Sequence, residues 1–209
     1  MPPRASEYFT KGTVMDPLVI AVDSSTTATK ALVVDAAGYV IGSGRAEITM
    51  NTPGADRYEQ DPADWWRSTD SAVAEAVARL SADERRRVTA LCITPQRQSF
   101  ALVDDDGVAV RPGILWLDGR ATAEVADLGS EDVHALSGFQ PDVTPSLYKI
   151  AWLSRHEPKN VARAVRLTGV HGYPVHALTG HWRDSVATAS GCTTCCRCHS
   201  RRGSRSSRD

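Results

Sequence analysis

Long apolar runs are missing from this chain. No stretch approaches the roughly 20 apolar residues that a membrane-spanning helix needs, and residues 1–15 have no apolar core of the kind that secretory signals carry. The formal net charge is only −1, so the charge balance does not favour nucleic acid or an anionic membrane as a partner. We therefore expect a globular, cytoplasmic protein with neither a membrane nor a nucleic-acid partner.

Cysteine is scarce in the body of the chain. Cys92 stands alone within "VTALCIT", where a small buried hydrophobic side chain is the simplest interpretation. The remaining cysteines crowd into residues 192–209, a segment rich in Arg and Ser that has lost all apolar periodicity. Because every cysteine codon has the form TGY, reading one base upstream gives NTG, which encodes Leu, Val or Met. We interpret residues 192–209 as an aberrant tail, produced by a frameshift near Gly191.

Alternatives stay open at both ends of the chain. In the tail, Cys192 and Cys195 are separated by two residues, and more cysteines and His199 follow them. Together these side chains could serve as ligands for zinc. The arginines of the tail suggest contact with nucleic acid instead. Residues 1–15 are expected to form a disordered leader, unless translation begins at Met15.

A Walker-type phosphate loop is absent, but a different polar turn is present. "DSSTTATK", residues 23–30, lies between two apolar runs, Leu18–Val22 and Lys30–Asp35, which predict strands; "YVIGSGRAEI" predicts a third strand. Such a turn surrounds one carboxylate with hydroxyls, backbone N–H groups and a lysine. That set suits phosphates and a bridging divalent cation. A plain polar hairpin is the alternative.

The rest of the chain alternates between helical and strand patterns. Asp61 and Pro62 begin an amphipathic helix in "EQDPADWWRSTDSAVAEAVARL", and "RVTALCIT" and "SFALVDDDG" resume the strand pattern. Residues 118–169 are mostly helical, with Ser146 as the cap of one helix, and "AVRLTGVHGYPVHALTGHW" predicts a strand, a turn and a helix. A strand meander followed by this alternation predicts one α/β domain over residues 16–191.

Six segments, in this order, resemble the N-terminal domain of the FGGY carbohydrate kinases, the family that includes xylulokinase and glycerol kinase. They are "VIAVDSSTTATKALVVDAAGYVI", "YEQDPADWW", "LCITPQRQSFALVDDDG", "RPGILWLDGR", "PSLYKIAWLSRHEP" and "GYPVHALTGHWRDSVATASG". The resemblance implies an actin-like (ribonuclease H-like) ATPase fold, of which this chain holds an incomplete N-terminal domain. It also implies transfer of the γ-phosphoryl group of Mg-ATP to a hydroxyl of a sugar or polyol, with a xylulose-like ketose as the leading substrate. A homodimer stays open for full-length members.

The resemblance assigns the polar turn to the nucleotide. On this analogy Asp23 acts at the metal-phosphate end and holds Mg²⁺ through phosphate or water. Thr26, Thr27 and Lys30 contact the phosphates of ATP. Ser25 stands where the family often has glycine, and its side chain narrows the approach of the backbone to phosphate.

The resemblance assigns "ITPQRQSF" to the sugar. Arg97 and Gln98 fall where glycerol kinases have an Arg-Glu pair and xylulokinases a Met-His pair, so both are predicted to bind substrate hydroxyls. The alternative is that they are two solvated polar residues at a turn. Thr144 falls near a position where glycerol kinases carry a substrate-binding tyrosine, which weakens the glycerol interpretation.

The segment "ILWLDGR" resembles the xylulokinase form. Asp118 is predicted to contact the substrate, with the open alternative that Asp118 and Arg120 pair with each other and cap the following helix. Trp116 is expected in the core, because apolar residues surround it in the sequence; a platform for the sugar is the alternative.

The resemblance also implies that essential parts are missing. The catalytic aspartate of the family and its second, adenosine-binding domain lie beyond the last residue of this chain, so no catalytic residue is predicted within it. Phosphoryl transfer needs such a carboxylate to orient or deprotonate the acceptor hydroxyl. The chain by itself is therefore expected to be inactive. Non-catalytic sugar binding and a glycerol kinase-type enzyme are the alternatives.

Overall fold

A computed structural model of the chain describes residues 16–185. The predicted leader and the predicted tail lie outside the described residues. The contacts among the described residues divide them into two compact units, one made of 16–49 and 64–95 and the other of 50–63 and 96–185. None of the helices in this range has both the length and the apolar character that crossing a bilayer requires.

Strands and helices follow one another in the order of an α/β protein. The first part of the chain contains β1 (Leu18–Ser24), β2 (Ala28–Val34), β3 (Val40–Glu47), β4 (Asn51–Gly54), β5 (Arg57–Gln60), α1 (Pro62–Ala78), α2 (Ala82–Arg86) and β6 (Val88–Pro95). The second part contains β7 (Phe100–Val103), β8 (Gly113–Ile114), α3 (Thr122–Leu128), α4 (Glu131–Ser137), α5 (Ser146–His156), α6 (Pro158–Arg163), β9 (Arg166–Gly169) and α7 (Gly172–Thr179).

The first unit is built on a four-stranded sheet with the order β3-β2-β1-β6. β1 pairs antiparallel with β2, β2 pairs antiparallel with β3, and β6 runs parallel to β1. The opening meander predicted from the sequence is therefore confirmed. One face of the sheet packs with α1 into a core that includes Leu18, Ile20, Val22, Ala31, Val33, Ala72, Ala76 and Ile93.

Two glycines of β3 let α1 lie directly on this sheet. A Cβ atom added at Gly44 would stand 2.1 Å from the carbonyl oxygen of Ala72, and one at Gly42 would stand 2.3 Å from that of Ala76. Both alanines are completely buried. Because these neighbours are backbone atoms, a side chain at either glycine would push the helix off the sheet.

The prediction that Cys92 is buried is wrong. Cys92 lies beside Ala21 in the sheet, and Ala21 lies opposite Leu32 on the next strand. All three residues are exposed, while Ile93 points into the core. Successive side chains of a strand face opposite sides of the sheet, and an unbroken apolar run does not show which side is covered.

The second unit contains a five-stranded sheet with the order β4-β5-β8-β7-β9. β8 pairs antiparallel with both β5 and β7, and β9 pairs antiparallel with β7. β4 and β5 are absent from the sequence prediction. All four residues of β4 are exposed and one of them is Pro53, so the segment has no apolar alternation to mark it as a strand.

α5 supplies much of the apolar core of the second unit. Its side chains cluster with those of the sheet; the buried members are Phe100, Leu102, Ile114, Ala121, Tyr148, Trp152 and Leu153.

The prediction that Ser146 caps this helix is wrong. Ser146 is the first helical residue, the N-cap position belongs to Pro145, and no side chain there makes a capping hydrogen bond. Proline has no side-chain acceptor for such a bond, so the helix N-terminus is satisfied in another way, described below.

Candidate functional site

A pocket of about 320 Å³ opens in the second unit, where three loops meet. The loop between β6 and β7, the loop after β8 and the segment that leads into α5 all contribute to it. Its lining residues are Gln96, Arg97, Gln98, Trp116, Phe139 and Thr144. Amide, guanidinium and hydroxyl groups therefore stand beside two aromatic rings, a combination suited to a small ligand with many hydroxyl groups.

Two residues predicted to bind substrate lie together in this pocket, but they differ in exposure. Arg97 is exposed, whereas Gln98 is only 6% exposed. The backbone of Gln98 has a φ of 60°, in the left-handed region that non-glycine residues seldom adopt. Its side-chain Oε1 accepts the N–H of Ser146 at 2.8 Å. Gln98 therefore provides a hydrogen-bond acceptor for a backbone N–H in the first turn of α5. This contact explains how the helix begins without an N-cap side chain.

A series of hydrogen bonds connects the loops that form the pocket to each other and to β5. The N–H of Trp116 donates to Ser99 Oγ at 3.0 Å, Ser99 Oγ donates to Gln96 Oε1 at 3.2 Å, and Gln96 Nε2 donates to Gln60 Oε1 at 3.3 Å. The series links the loop after β8 to the loop before β7 and then to β5. The lining is therefore held by neighbouring backbone and side-chain groups before any ligand arrives.

The expectation that Trp116 is a core residue is wrong. Its side chain is 42% exposed, and it forms part of the pocket lining. The apolar residues around Trp116 in the sequence suggest that it is buried. However, Ile114 and Leu115 are the residues that point into the core, with no measurable exposure. Gln96 and Phe139 also line the pocket, and the sequence predicts no role for either of them. Phe139 follows a helix and precedes two prolines in sequence, a position that carries no signal of a binding site.

Asp118 is completely buried and is not among the residues that line the pocket. Its Oδ2 accepts the N–H of Tyr58 at 2.7 Å and Arg120 Nη2 at 2.8 Å. Its Oδ1 accepts Arg120 Nε at 2.7 Å and the Arg120 backbone N–H at 3.1 Å. Three of these four contacts join Asp118 to Arg120, as in the alternative in which the two residues pair. The capping part of that alternative is wrong, because the N-cap position of α3 belongs to Ala121 and no side chain makes a capping hydrogen bond there.

Arg120 extends this pair into a larger ionic network. Its Nη2 also lies 2.7 Å from Glu59 Oε1, and Glu59 in turn binds Arg111. The Arg120 guanidinium stacks over the ring of Trp152, 5.0 Å from its centroid. Burial opposes the charged form of Arg120, but its hydrogen bonds to Asp118 and Glu59 outweigh that effect and raise its pKa. Through Glu59 of β5 and Trp152 of α5, the network ties the sheet to α5 in the second unit.

The polar turn predicted to contact phosphate is the tip of the β1–β2 hairpin in the first unit. Asp23 lies directly opposite Lys30 in the register of the two strands. Lys30 lies opposite Arg45 of β3, so two cations and one carboxylate stand in a row across the sheet. Asp23, Lys30 and Arg45 are all exposed. This row can offer positive charge to phosphate oxygens and a carboxylate to a cation that bridges them.

The hydroxyl groups of the turn divide between two roles. Ser24 and Thr29 are buried, and the Thr29 hydroxyl lies 2.8 Å from that of Ser68 on α1. Ser25 closes the turn, because both its N–H and its hydroxyl donate to the carbonyl of Ala28. Thr26 is half-buried and Thr27 is exposed at the tip. The residues of "DSSTTATK" thus differ in exposure, and of the two threonines predicted to contact phosphate only Thr27 is fully exposed.

Comparison with known proteins identifies the family. The model of the FGGY family of carbohydrate kinases, N-terminal domain, matches residues 18–195. The chain belongs to this family, and its fold is the α/β fold of actin-like (ribonuclease H-like) ATPases that the family resemblance implied. The matched range extends four residues past Gly191, into the segment interpreted as a tail.

Individual relatives are sugar and polyol kinases. The chain is 39% identical over 183 residues to the xylulose kinase of Streptomyces rubiginosus, a match that covers 84% of this chain and 36% of the relative. It is 34% identical over 145 residues to the glycerol kinase of Rhodospirillum centenum, covering 67% of this chain and 29% of the relative. The crystal structure of xylulose kinase from Rhodospirillum rubrum superimposes with a TM-score of 0.78 at 29% identity, covering 83% of this chain and 37% of that one. The chain thus spans little more than a third of the length of these xylulose kinases.

Proposed function

We propose that this chain provides the sugar-binding pocket and the phosphate-facing hairpin of an ATP-dependent kinase that phosphorylates a hydroxyl of a xylulose-like sugar. The observation that carries the proposal is the pocket around Arg97 and Gln98, in a chain 39% identical to a xylulose kinase. The volume of about 320 Å³ lies at the small end of the range for ligand sites, roughly 300–1,000 Å³. It favours a small sugar over a nucleotide at this site.

The pocket chemistry supports a ligand with several hydroxyl groups. The exposed guanidinium of Arg97 presents donors in a fixed plane. The hydroxyl of Thr144 donates to Asp142 Oδ2 at 3.2 Å and can still accept a hydrogen bond from a ligand. Trp116 offers an aromatic face to the C–H side of a sugar ring or chain. The assignment of Asp118 as a substrate ligand stays a prediction, since its contacts in the structure are with Arg120 and Tyr58.

The exposed row of Asp23, Lys30 and Arg45 supports a role at the phosphate end. When bound, Mg-ATP supplies the phosphoryl group. We propose that Lys30 attracts its phosphate oxygens, that Thr26 and Thr27 donate hydrogen bonds to them, and that Asp23 holds Mg²⁺ through phosphate or water. The residue that activates the sugar hydroxyl is expected in the part of the relatives that this chain does not span. The residues of this chain are therefore proposed to supply the sugar and phosphate contacts, and not the group that activates the sugar hydroxyl.

Calorimetric titration of D-xylulose into the purified chain tests the sugar assignment. Replacing Arg97 by Met should weaken xylulose binding about tenfold or more, because hydrogen bonds to a charged group contribute roughly 1.5–3 kcal/mol. Arg79→Met is the matched control, since Arg79 is an exposed arginine of the first unit. The proposal fails if the wild-type chain gives no saturable heat with xylulose, or if Arg97→Met and Arg79→Met bind it equally well.

A glycerol kinase-type activity is the second candidate. It is supported by the 34% identity to a glycerol kinase and by Arg97, which matches the arginine of the glycerol kinase pair. The same titration with glycerol decides between the two. Binding of glycerol at least as tight as that of xylulose would favour this candidate.

The hairpin assignment needs a separate probe. Chemical shifts of residues 23–30 should move when Mg-ADP is titrated into the labelled chain. Lys30→Met should abolish these shifts, whereas Lys159→Met, a change at an exposed lysine of α6, should leave them intact. Shifts that persist in Lys30→Met, or that spread evenly over the chain, would argue against phosphate contact at this turn.

A further inference from the structure

A lysine lies completely buried behind the pocket. Lys149 of α5 has a relative exposure of 0%, and the residues beside it on the same helix include the core side chains Tyr148, Trp152 and Leu153. Burying an ammonium group is costly unless polar partners satisfy it, and lysine is among the residues least often found fully buried. An apolar side chain of similar length would fit a helix core at lower cost. This position therefore calls for a physical explanation that apolar packing does not supply.

The partners of the ammonium group give that explanation. Lys149 Nζ donates to the carbonyl oxygen of Trp116 at 2.9 Å and to that of Thr144 at 2.8 Å. Trp116 and Thr144 both line the pocket, and they belong to different loops. Lys149 itself is not among the lining residues. One buried cation thus connects two walls of the pocket without being part of its surface.

A second connection of the same kind lies next to it. The side chain of Gln98, on the third wall, accepts the N–H of Ser146, three residues before Lys149 in α5. The first turns of α5 therefore hold all three loops, through one backbone N–H and one ammonium group. Of these two connections, the ammonium is the charged one, and hydrogen bonds from an ionised donor are shorter and stronger than neutral ones.

We propose that Lys149 is a positioning residue of the sugar pocket. Its ammonium group fixes the separation of the Trp116 and Thr144 backbones, and with it the width of the pocket and the placement of the Trp116 ring against the ligand. The inference rests on the proposed sugar-binding function for the identity of the ligand, but the ordering of the two loops by Lys149 does not depend on that identity.

The test compares Lys149→Met, which keeps the length of the side chain and removes the charge, with Lys159→Met in the full 209-residue chain. Xylulose affinity should fall about tenfold or more in Lys149→Met, because the loops that carry Trp116 and Thr144 lose their shared charged hydrogen-bond donor. Amide hydrogen exchange at residues 115–117, at Thr144 and at Ser146 should become faster in the same variant. Lys159→Met should match the wild type in both respects.

A measurement on the wild-type chain keeps the proposal testable if Lys149→Met does not fold. With ¹⁵N-labelled lysine, the ammonium protons of Lys149 should exchange slowly enough with water to give a separate signal, while those of exposed Lys30 and Lys159 exchange rapidly. That signal should shift when xylulose is added, because the carbonyls that hold it belong to pocket residues. A Lys149 signal that does not respond to saturating xylulose would overturn the proposal.

The two proposals fail in different ways. If the wild-type chain does not bind xylulose, the sugar assignment fails, and loop exchange in Lys149→Met still decides whether Lys149 orders the pocket. If the wild type binds xylulose and the folded Lys149→Met variant binds it equally well with unchanged loop exchange, Lys149 is not a positioning residue and the sugar assignment stands.

Discussion

Replacing Asp118 by Asn separates its two candidate roles, which are ligand contact and internal support. The substitution keeps the shape and removes the charge. An Asn oxygen in the place of Oδ1 can still accept the two Arg120 bonds made there. The amide nitrogen would then stand at Oδ2 and face two other donors, the Tyr58 N–H and Arg120 Nη2. The N–H of half-buried Tyr58 would lose its acceptor, and the buried Arg120 Nη2 would lose one of its two acceptors and keep Glu59 Oε1.

The expected cost follows from these contacts. Each buried donor left without a partner costs about 1–3 kcal/mol, and breaking a buried ion pair typically costs about 3–5 kcal/mol. Glu59 still pairs with Arg120 and limits the loss. We therefore expect Asp118→Asn to lower the free energy of unfolding by about 3 kcal/mol. That is a large share of the roughly 5–15 kcal/mol that stabilises a typical domain.

Urea unfolding followed by circular dichroism measures this loss. Asp105→Asn is the control, because Asp105 is an exposed aspartate in the turn after β7; its stability should stay within about 0.5 kcal/mol of the wild type. Xylulose binding is measured on the same samples below the unfolding transition. If Asp118→Asn unfolds like the wild type but no longer binds xylulose, then Asp118 acts on the ligand and the reasoning from the buried network is refuted.

Three further predictions follow from the packing. Gly44→Ala should destabilise the chain by about 1–3 kcal/mol in urea unfolding, because its Cβ would stand 2.1 Å from the Ala72 carbonyl oxygen; Gly54→Ala, whose nearest contact is 3.5 Å, should change little. Tyr148→Phe should stabilise the chain by about 1 kcal/mol, since the buried phenol oxygen has no hydrogen-bond partner among residues 16–185. Burial raises the Tyr148 pKa above its ordinary 10.0, so the wild type should lose stability as the pH rises beyond 10.0 and Tyr148→Phe should lose less. Cys92 should react with a thiol reagent under native conditions, as read by peptide mass spectrometry; protection until unfolding would contradict its exposed position.

Much of the first unit can be predicted from the sequence because its local signals agree with one another. Apolar runs predict β1 and β2, and the polar residues between them predict the turn of the hairpin. Asp61 and Pro62 mark the start of α1, and the Ala63 N–H does donate to Asp61 Oδ1 at 3.0 Å. In each case a side chain acts on backbone groups a few residues away, which is what a local pattern can report.

The pocket is harder to predict because long-range contacts define it. Gln98 supports the start of α5 from 48 residues away in sequence, and no pattern near Ser146 indicates this. Lys149 lies on the buried side of a helix where periodicity calls for an apolar residue, so a charge there looks like an exception until its two carbonyl partners are known. Trp116 is misassigned for the related reason that its apolar neighbours, not the tryptophan, fill the core.

The contacts of Gln98 have a consequence for how this pocket can change its specificity. Arg97 is exposed, and its side chain can be exchanged without disturbing the described core. Gln98 is buried, lies at a strained backbone angle and accepts the N–H that begins α5. Any residue that replaces it must keep an acceptor at that point, or the first turn of the helix that carries Lys149 loses its partner. Substitutions at 98 are therefore expected to alter the positions of Trp116 and Thr144 as well as the direct contact with the sugar, whereas substitutions at 97 alter the direct contact alone.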